Sequence, residues 1–192
     1  MTRIHYKFHR ISIALIVFFL SLSTISCIKN TNITTNELDF IFSEKDYSNN
    51  ESIYKVLPLK SGDDYFYTKT KNQFGWYYLY SINFIDNKNN EIHLKTTINI
   101  FYSNKDILKL YKSNVLVNSN NEISDIELLK RFNFDKVCFI NNENYKYISL
   151  ISKNILYSIE IEGITEITLD ELLEISSRKI CIINNKDLLQ YK

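Results

Sequence analysis

Three histidines, three cysteines and a few close-set carboxylates are the chemistry-bearing residues of this 192-residue chain. The histidines are His5, His9 and His93. The first two lie in a segment expected to be removed, so His93 alone remains as a histidine general base. One imidazole cannot build a multi-histidine zinc centre within one chain, and no metal is expected. A histidine-based triad would have to use His93. No Ser or Cys lies in a nucleophile motif, and Gly-x-Ser-x-Gly is absent. Alternation places His93 on the wet face of its strand, where a solvated surface histidine is the plainer reading. Asp63-Asp64, beside Gly62, and Glu160 with Glu162 could pair as acid and base or bind calcium. No calcium-binding loop follows Asp63, and paired acids are common on solvated turns and strands.

Two further groups of residues have a functional and a plain reading. Tyr65, Phe66, Tyr67, Phe74, Trp76, Tyr77, Tyr78 and Tyr80 form a dense aromatic run. Exposed, such rings stack on sugars or anchor a protein partner. Trp76, Tyr78 and Tyr80 are the candidate binding patch. A strand of period two sends half of the rings into a core, however. The joint abundance of Asn, Ile, Lys and Tyr also fits an AT-rich genome rather than selection for binding. Cys138 and Cys181 sit in apolar runs, Val137-Cys138-Phe139 and Ile180-Cys181-Ile182. They could form a disulfide closing a loop of roughly 40 residues, worth about 3–4 kcal/mol. Alternatively they are two buried thiols acting as small hydrophobes. No C-x-x-C motif points to redox catalysis.

The N-terminal segment has the pattern of an address. Arg3, Lys7 and Arg10 precede an apolar run from Ile11 to Leu22, broken only by Ser12 and Ser21. Ser23, Thr24 and Ser26 follow, then Cys27. A basic start, a short apolar run and a small-residue end make a secretory signal. The run is too short to span a bilayer comfortably, which takes roughly 20 apolar residues. Thr24-Ile25-Ser26-Cys27 resembles the lipobox of bacterial lipoproteins, with Thr24 where that family usually has Leu. The resemblance covers the first 27 residues only. It implies cleavage before Cys27, a diacylglyceryl group on its thiol and an acylated new N-terminus. Two or more acyl chains give stable anchoring. A plain secretory signal and an uncleaved anchor are the alternatives. The expected divisions are a signal peptide over 1–26, a lipidated cysteine and polar tether over 27–36, and one domain over 37–192.

Composition bounds the rest. Lys and Arg total 23 against 22 acids, and losing residues 1–26 leaves a side-chain charge of −2. A nucleic-acid binder needs a basic surface, so no nucleic-acid partner is expected. With three glycines and one proline the chain has no glycine-rich phosphate loop, and no cofactor is expected. A hydrophobic content of 45% is enough for a real core.

The elements that must position these residues follow from pattern. Leu38 to Phe42 reads as a short first strand or edge segment. Ile53 to Lys60 reads as an edge strand interrupted by Pro58. Tyr65 to Thr70, Trp76 to Ile85 and Glu91 to Phe101 read as strands. The last two form a hairpin across the turn residues Asp86 to Asn90. Three helices are announced by capping boxes starting at Ser103, Ser124 and Thr168. Between the last two come strands over Lys136 to Ile140, Tyr145 to Ile151 and Ile155 to Glu162. Cys181 to Ile183 reads as a final strand. The expected class is α+β, an antiparallel sheet with short helices packed on one face.

These features point to a bacterial lipoprotein at the cell membrane or outer membrane, its mature domain outside the cytoplasm. A non-catalytic binding or assembly module of the envelope, with a possible envelope protein partner, is the first expectation. A lipid-anchored hydrolase using carboxylates, and an immunity-type envelope lipoprotein, are the alternatives.

Overall fold

The computed structural model describes residues 37, 39–47, 55–115 and 121–185. The signal, Cys27 and the tether over 27–36 lie outside the described residues. In chain order the elements are α1 (Glu44–Tyr47), β1 (Lys55–Leu57), β2 (Tyr65–Asn72), β3 (Gly75–Ile85) and β4 (Glu91–Phe101). Then come α2 (Asn104–Val115), α3 (Ile126–Phe132), β5 (Lys136–Asn142), β6 (Tyr145–Ser152), β7 (Ile155–Glu162) and α4 (Leu169–Asn185).

The seven strands form a sheet of order β1-β3-β4-β7-β6-β5, with β2 also on β3. Every pairing is antiparallel. β1 and β2 lie end to end along the same edge of β3, which pairs residues 83–85 with β1 and 75–82 with β2. Pro58, at the end of β1, cannot donate to a ladder, and the chain turns there before β2. Gly62 turns that connection at φ +86°, with its N–H donating to the Leu59 carbonyl. The sheet is two meanders, β2-β3-β4 and β5-β6-β7, joined by the β4–β7 pairing. This is the α+β class expected from the pattern.

Alternation decides the two faces. Continuous register places Tyr78, Tyr80, Ile82 and Phe84 of β3 with Leu94 and Ile98 of β4 and Tyr157 and Ile159 of β7. This face is the main core, and α1, α3 and α4 cover it. Leu172, Leu173, Ile175, Ile180 and Ile183 give α4 its buried stripe at helical spacing. The helix starts with a reciprocal capping box. The Glu171 N–H donates to Thr168 Oγ1 (3.3 Å), and the Thr168 N–H donates to Glu171 Oε2 (2.7 Å). The expected strand at Cys181–Ile183 is therefore replaced by the last turns of α4. Its β-branched run mimics a strand, but Ile180 and Ile183, three residues apart, share the buried stripe.

α2 departs from the one-face arrangement. It lays Ile107 and Tyr111 over Phe101, Cys138, Ile151 and Leu156, which point to the other face of the sheet. α3 also starts one residue later than the expected box. Its cap is Asp125, whose Oδ1 accepts from the N–H groups of Glu127 (2.9 Å) and Leu128 (3.0 Å).

The stretch around Phe40 to Phe42 is not a strand. All three of its residues are buried, and it crosses the core face under hydrogen bonds from side chains. The Thr96 hydroxyl donates to the Phe42 carbonyl (2.6 Å). The Tyr157 hydroxyl accepts from the Phe42 N–H (2.8 Å) and donates to the Phe40 carbonyl (3.0 Å). Side-chain partners here do what a ladder would otherwise do for buried backbone groups.

Candidate functional site

The half-open face of the sheet gathers several of the sequence candidates. His93 and Glu162 are opposite one another on β4 and β7, and Lys95 and Glu160 are the next such pair on the same face. Tyr147 of β6 lies opposite Glu160, and Tyr145 opposite Glu162. Asn83 of β3 lies opposite His93 and holds its Nδ1 through the side-chain oxygen. Tyr77, Leu79, Thr97 and Asn99 extend the array, and all are half-buried.

The charges in this array are engaged with each other. Lys95 Nζ donates to Glu160 Oε2 at 2.9 Å, and the Tyr145 hydroxyl donates to Glu160 Oε1 at 3.2 Å. The hydrogen bond to Glu160 raises the Lys95 ammonium above the usual lysine range, against the opposing effect of partial burial. Burial and the neighbouring Glu160 charge push the Tyr145 phenol well above its ordinary value. Glu160 is thus an acceptor of two bonds, one on each oxygen, with a cation beside it. The group orients side chains across β4, β6 and β7 and fixes a polar surface. Deeper on this face, the Ser149 and Ser158 hydroxyls bond each other at 3.0 Å.

The other sequence candidates go elsewhere. Tyr78 and Tyr80 are 1% and 3% exposed, so they belong to the core and not to a binding patch. The Tyr80 hydroxyl donates to Glu44 Oε2 at 2.6 Å, tying β3 to α1. Trp76 is half-buried at the end of the same face, with the Lys69 and Lys71 ammonium groups 5.1 Å and 5.3 Å from its ring. Such cation–π contacts are favourable at partly exposed rings. Asp63 and Asp64 are exposed in the β1–β2 connection, away from Glu160 and Glu162. Among the described residues, no group of three or more His, Cys, Asp or Glu side chains is placed to hold a metal ion.

The two cysteines are unbridged. Cys138 points to the α2 side of the sheet and is buried, whereas Cys181 is exposed on α4 over the opposite face. The sheet stands between them, so the proposed disulfide does not form. Burial is the main cause that raises the Cys138 thiol above its ordinary value, with Glu122 adding to it.

Lys146 was not singled out by the sequence reading. It points into the core side and donates to the Ile167 carbonyl at 2.6 Å. Burial lowers its ammonium below the usual lysine range. It fastens the linker before α4, and its only sequence signal is a lysine at an inward position of an alternating strand.

Among the described residues, no helix is long and apolar enough to cross a membrane. Comparison with protein-family models, with curated proteins and with solved structures gives no match.

Proposed function

We propose that this chain is a lipid-anchored bacterial envelope protein that acts by binding rather than by catalysis. The anchor part of this reading rests on Thr24-Ile25-Ser26-Cys27 and the signal-like segment before it. The binding part rests on one observation, the half-exposed sheet face opposite α4. There Tyr77, Leu79, Lys95, Tyr147 and Glu160 stand on four adjacent strands. Tyrosines on a rigid sheet offer large contact area at little entropic cost, and tyrosine is enriched in protein interfaces. The internal Lys95–Glu160 pair also gives a partner a defined polar feature to match.

Two measurements test the reading. The intact mass of detergent-extracted protein reports the anchor. Residues 27–192 plus acyl groups is the expected result, and a mass that retains Met1 or lacks lipid overturns it. A photo-crosslinking side chain at Leu79 reports the binding face, with Glu174 on exposed α4 as the control position. The expected result is one defined envelope product from position 79, lost on Tyr77→Ala. Equal product from both positions would remove this face as the contact surface.

A further inference from the structure

Three of the exposed large apolar side chains gather at one end of the sheet. Phe74 in the β2–β3 turn is 48% exposed, Tyr102 after β4 is 42%, and Leu108 in α2 is 43%. Phe74 and Tyr102 are held side by side, because the Tyr102 N–H donates to the Phe74 carbonyl at 2.9 Å. Lysines surround them. Lys71 ends near Trp76 just before the turn, and Lys105, Lys109 and Lys112 are exposed on α2. Lys105, Leu108 and Lys112 have the three- and four-residue spacing that places them on one side of that helix. Lys153 is exposed in the adjacent β6–β7 turn. The acids at this end are Glu37, paired with Lys69, Glu122, paired with Lys136, Asp106, part-buried, and Asp135, whose Oδ2 accepts from the Lys153 N–H at 2.7 Å.

The opposite end has the reverse balance. Glu91, Glu143, Glu162 and Glu166 lie there, with Lys88 bonded to Glu166. Asp63 and Asp64, with Lys60 in the same connection, and Lys55 at the start of β1 lie toward that end along the β3 edge. The domain is therefore polarised along its strands, although the mature chain as a whole is slightly acidic.

The chain from Cys27 arrives at the lysine-rich end. Glu37 Oε1 is 2.6 Å from Lys69 Nζ, and that ammonium is the one over Trp76. Ten peptide steps separate Cys27 from Glu37, a reach of at most about 36 Å. The eleven residues of β3 span about the same length, so the far end of the sheet lies most of a strand's length from Glu37, where the chain enters the domain. A short tether of this kind holds the near end at an effective concentration of about millimolar against the surface to which it is fixed.

We propose that the Phe74–Tyr102–Leu108 end, with Lys71, Lys105 and Lys109 around it, docks on an anionic lipid surface and stands the sheet end-on to the membrane. The proposal rests on the lipid-anchor reading above. Aromatic rings favour the headgroup level of a bilayer, and lysines add attraction to anionic lipid. Glu91 and Glu162 then face away from the negative surface.

The experiment uses the sole tryptophan of the chain, Trp76, as its own reporter. Detergent-extracted mature protein, its acylation checked by intact mass, is reconstituted into phosphatidylcholine vesicles with or without phosphatidylglycerol. Quenching by brominated acyl chains is then read. Trp76 should be quenched in anionic vesicles and far less in neutral ones. Each lysine replaced, as in Lys71→Ala or Lys105→Ala, should lower the docked-to-undocked ratio about five-fold. Phe74→Ser should lower it further while circular dichroism stays unchanged. Acylated protein with Trp76 unquenched in both vesicles overturns docking and leaves the anchor standing. Quenching that is equal in both vesicles and indifferent to Lys71→Ala overturns the electrostatic docking. Shielding of Trp76 only when an envelope protein is added assigns the end to a protein and overturns the proposal. A mass without acyl groups overturns both readings.

Discussion

The Tyr157 hydroxyl and the Phe42 N–H, 115 residues apart, are joined by a buried hydrogen bond of 2.8 Å. The same hydroxyl donates to the Phe40 carbonyl, so one side chain of the central strand β7 satisfies two backbone groups of the N-terminal segment. Phe40–Phe42 is therefore fixed inside the core by a side chain remote in sequence.

Tyr157→Phe removes the acceptor of the buried Phe42 N–H while keeping the ring. Orphaning a buried donor or acceptor costs about 1–3 kcal/mol. Urea unfolding should show that loss with an unchanged slope against denaturant. A change under about 0.5 kcal/mol would mean that the Tyr157 hydroxyl does not hold the segment.

Gly75 and Gly62 should respond very differently to alanine. Gly75 sits at φ +152° where β3 begins, and a Cβ there would lie 1.9 Å from the Ile100 carbonyl oxygen. That neighbour is backbone of β4 and cannot move without breaking the pairing. Gly62 sits at φ +86° with nothing within 4 Å of an added Cβ. Gly62→Ala should cost only the left-handed strain, about 1–2 kcal/mol. Gly75→Ala should cost more than this and impair the β2–β3–β4 meander. Thermal melts of the two variants side by side decide it, and equal losses would disprove the close approach.

The fold was legible where local pattern and local pairing agree. β4 and β7 have the bounds their alternation predicts, and the β3–β4 hairpin follows from the Asn- and Asp-rich turn. Cys181–Ile183 was misread because a short β-branched run carries no helix signal of its own. Only the Thr168 box and the whole stripe from Leu172 to Ile183 reveal the helix. Phe40–Phe42 was misread because its partners, Thr96 and Tyr157, are remote side chains. The polar array was half legible. Alternation places His93 and Lys95 on one wet face, and Glu160 and Glu162 on another. That the two faces are one follows from the β4–β7 pairing, which spans 65 residues between Lys95 and Glu160 and has no local signature.

The two cysteines should differ sharply toward a maleimide. Cys181 is exposed on α4, whereas Cys138 is 1% exposed beneath α2 and its thiol is raised by burial. The thiolate is the reactive form, so Cys138 is both shielded and protonated at neutral pH. Mapped by peptide so that Cys27 is scored apart, native protein should be labelled at Cys181 and not at Cys138, and denatured protein at both. A label at Cys138 in native protein, or a peptide joining Cys138 to Cys181, would contradict the placement of these residues on opposite sides of the sheet.

Alkaline pH should unfold the protein cooperatively. Burial is the leading cause that pushes the phenols of Tyr67, Tyr78, Tyr80, Tyr111 and Tyr157 above their ordinary value of 10.0. Below pH 10 these groups hold their protons in both states and leave stability unchanged. Above it the unfolded chain releases protons that the folded chain keeps. The folded state then binds more protons, and stability falls as pH rises, by about 1.4 kcal/mol per pH unit for each such tyrosine. Lys95 acts in the same direction, since its raised pKa gives stability that is lost as pH climbs through the folded value. Together these groups exhaust a typical stability of about 5–15 kcal/mol within one to three pH units above 10. Phenolate absorbance and far-ultraviolet circular dichroism, recorded on the same samples, test this. The exposed phenols should ionise first, and the buried ones should ionise in a steep step coincident with loss of the β signal. A gradual titration of all the tyrosines near pH 10, with the sheet intact, would show that these rings are not in the core.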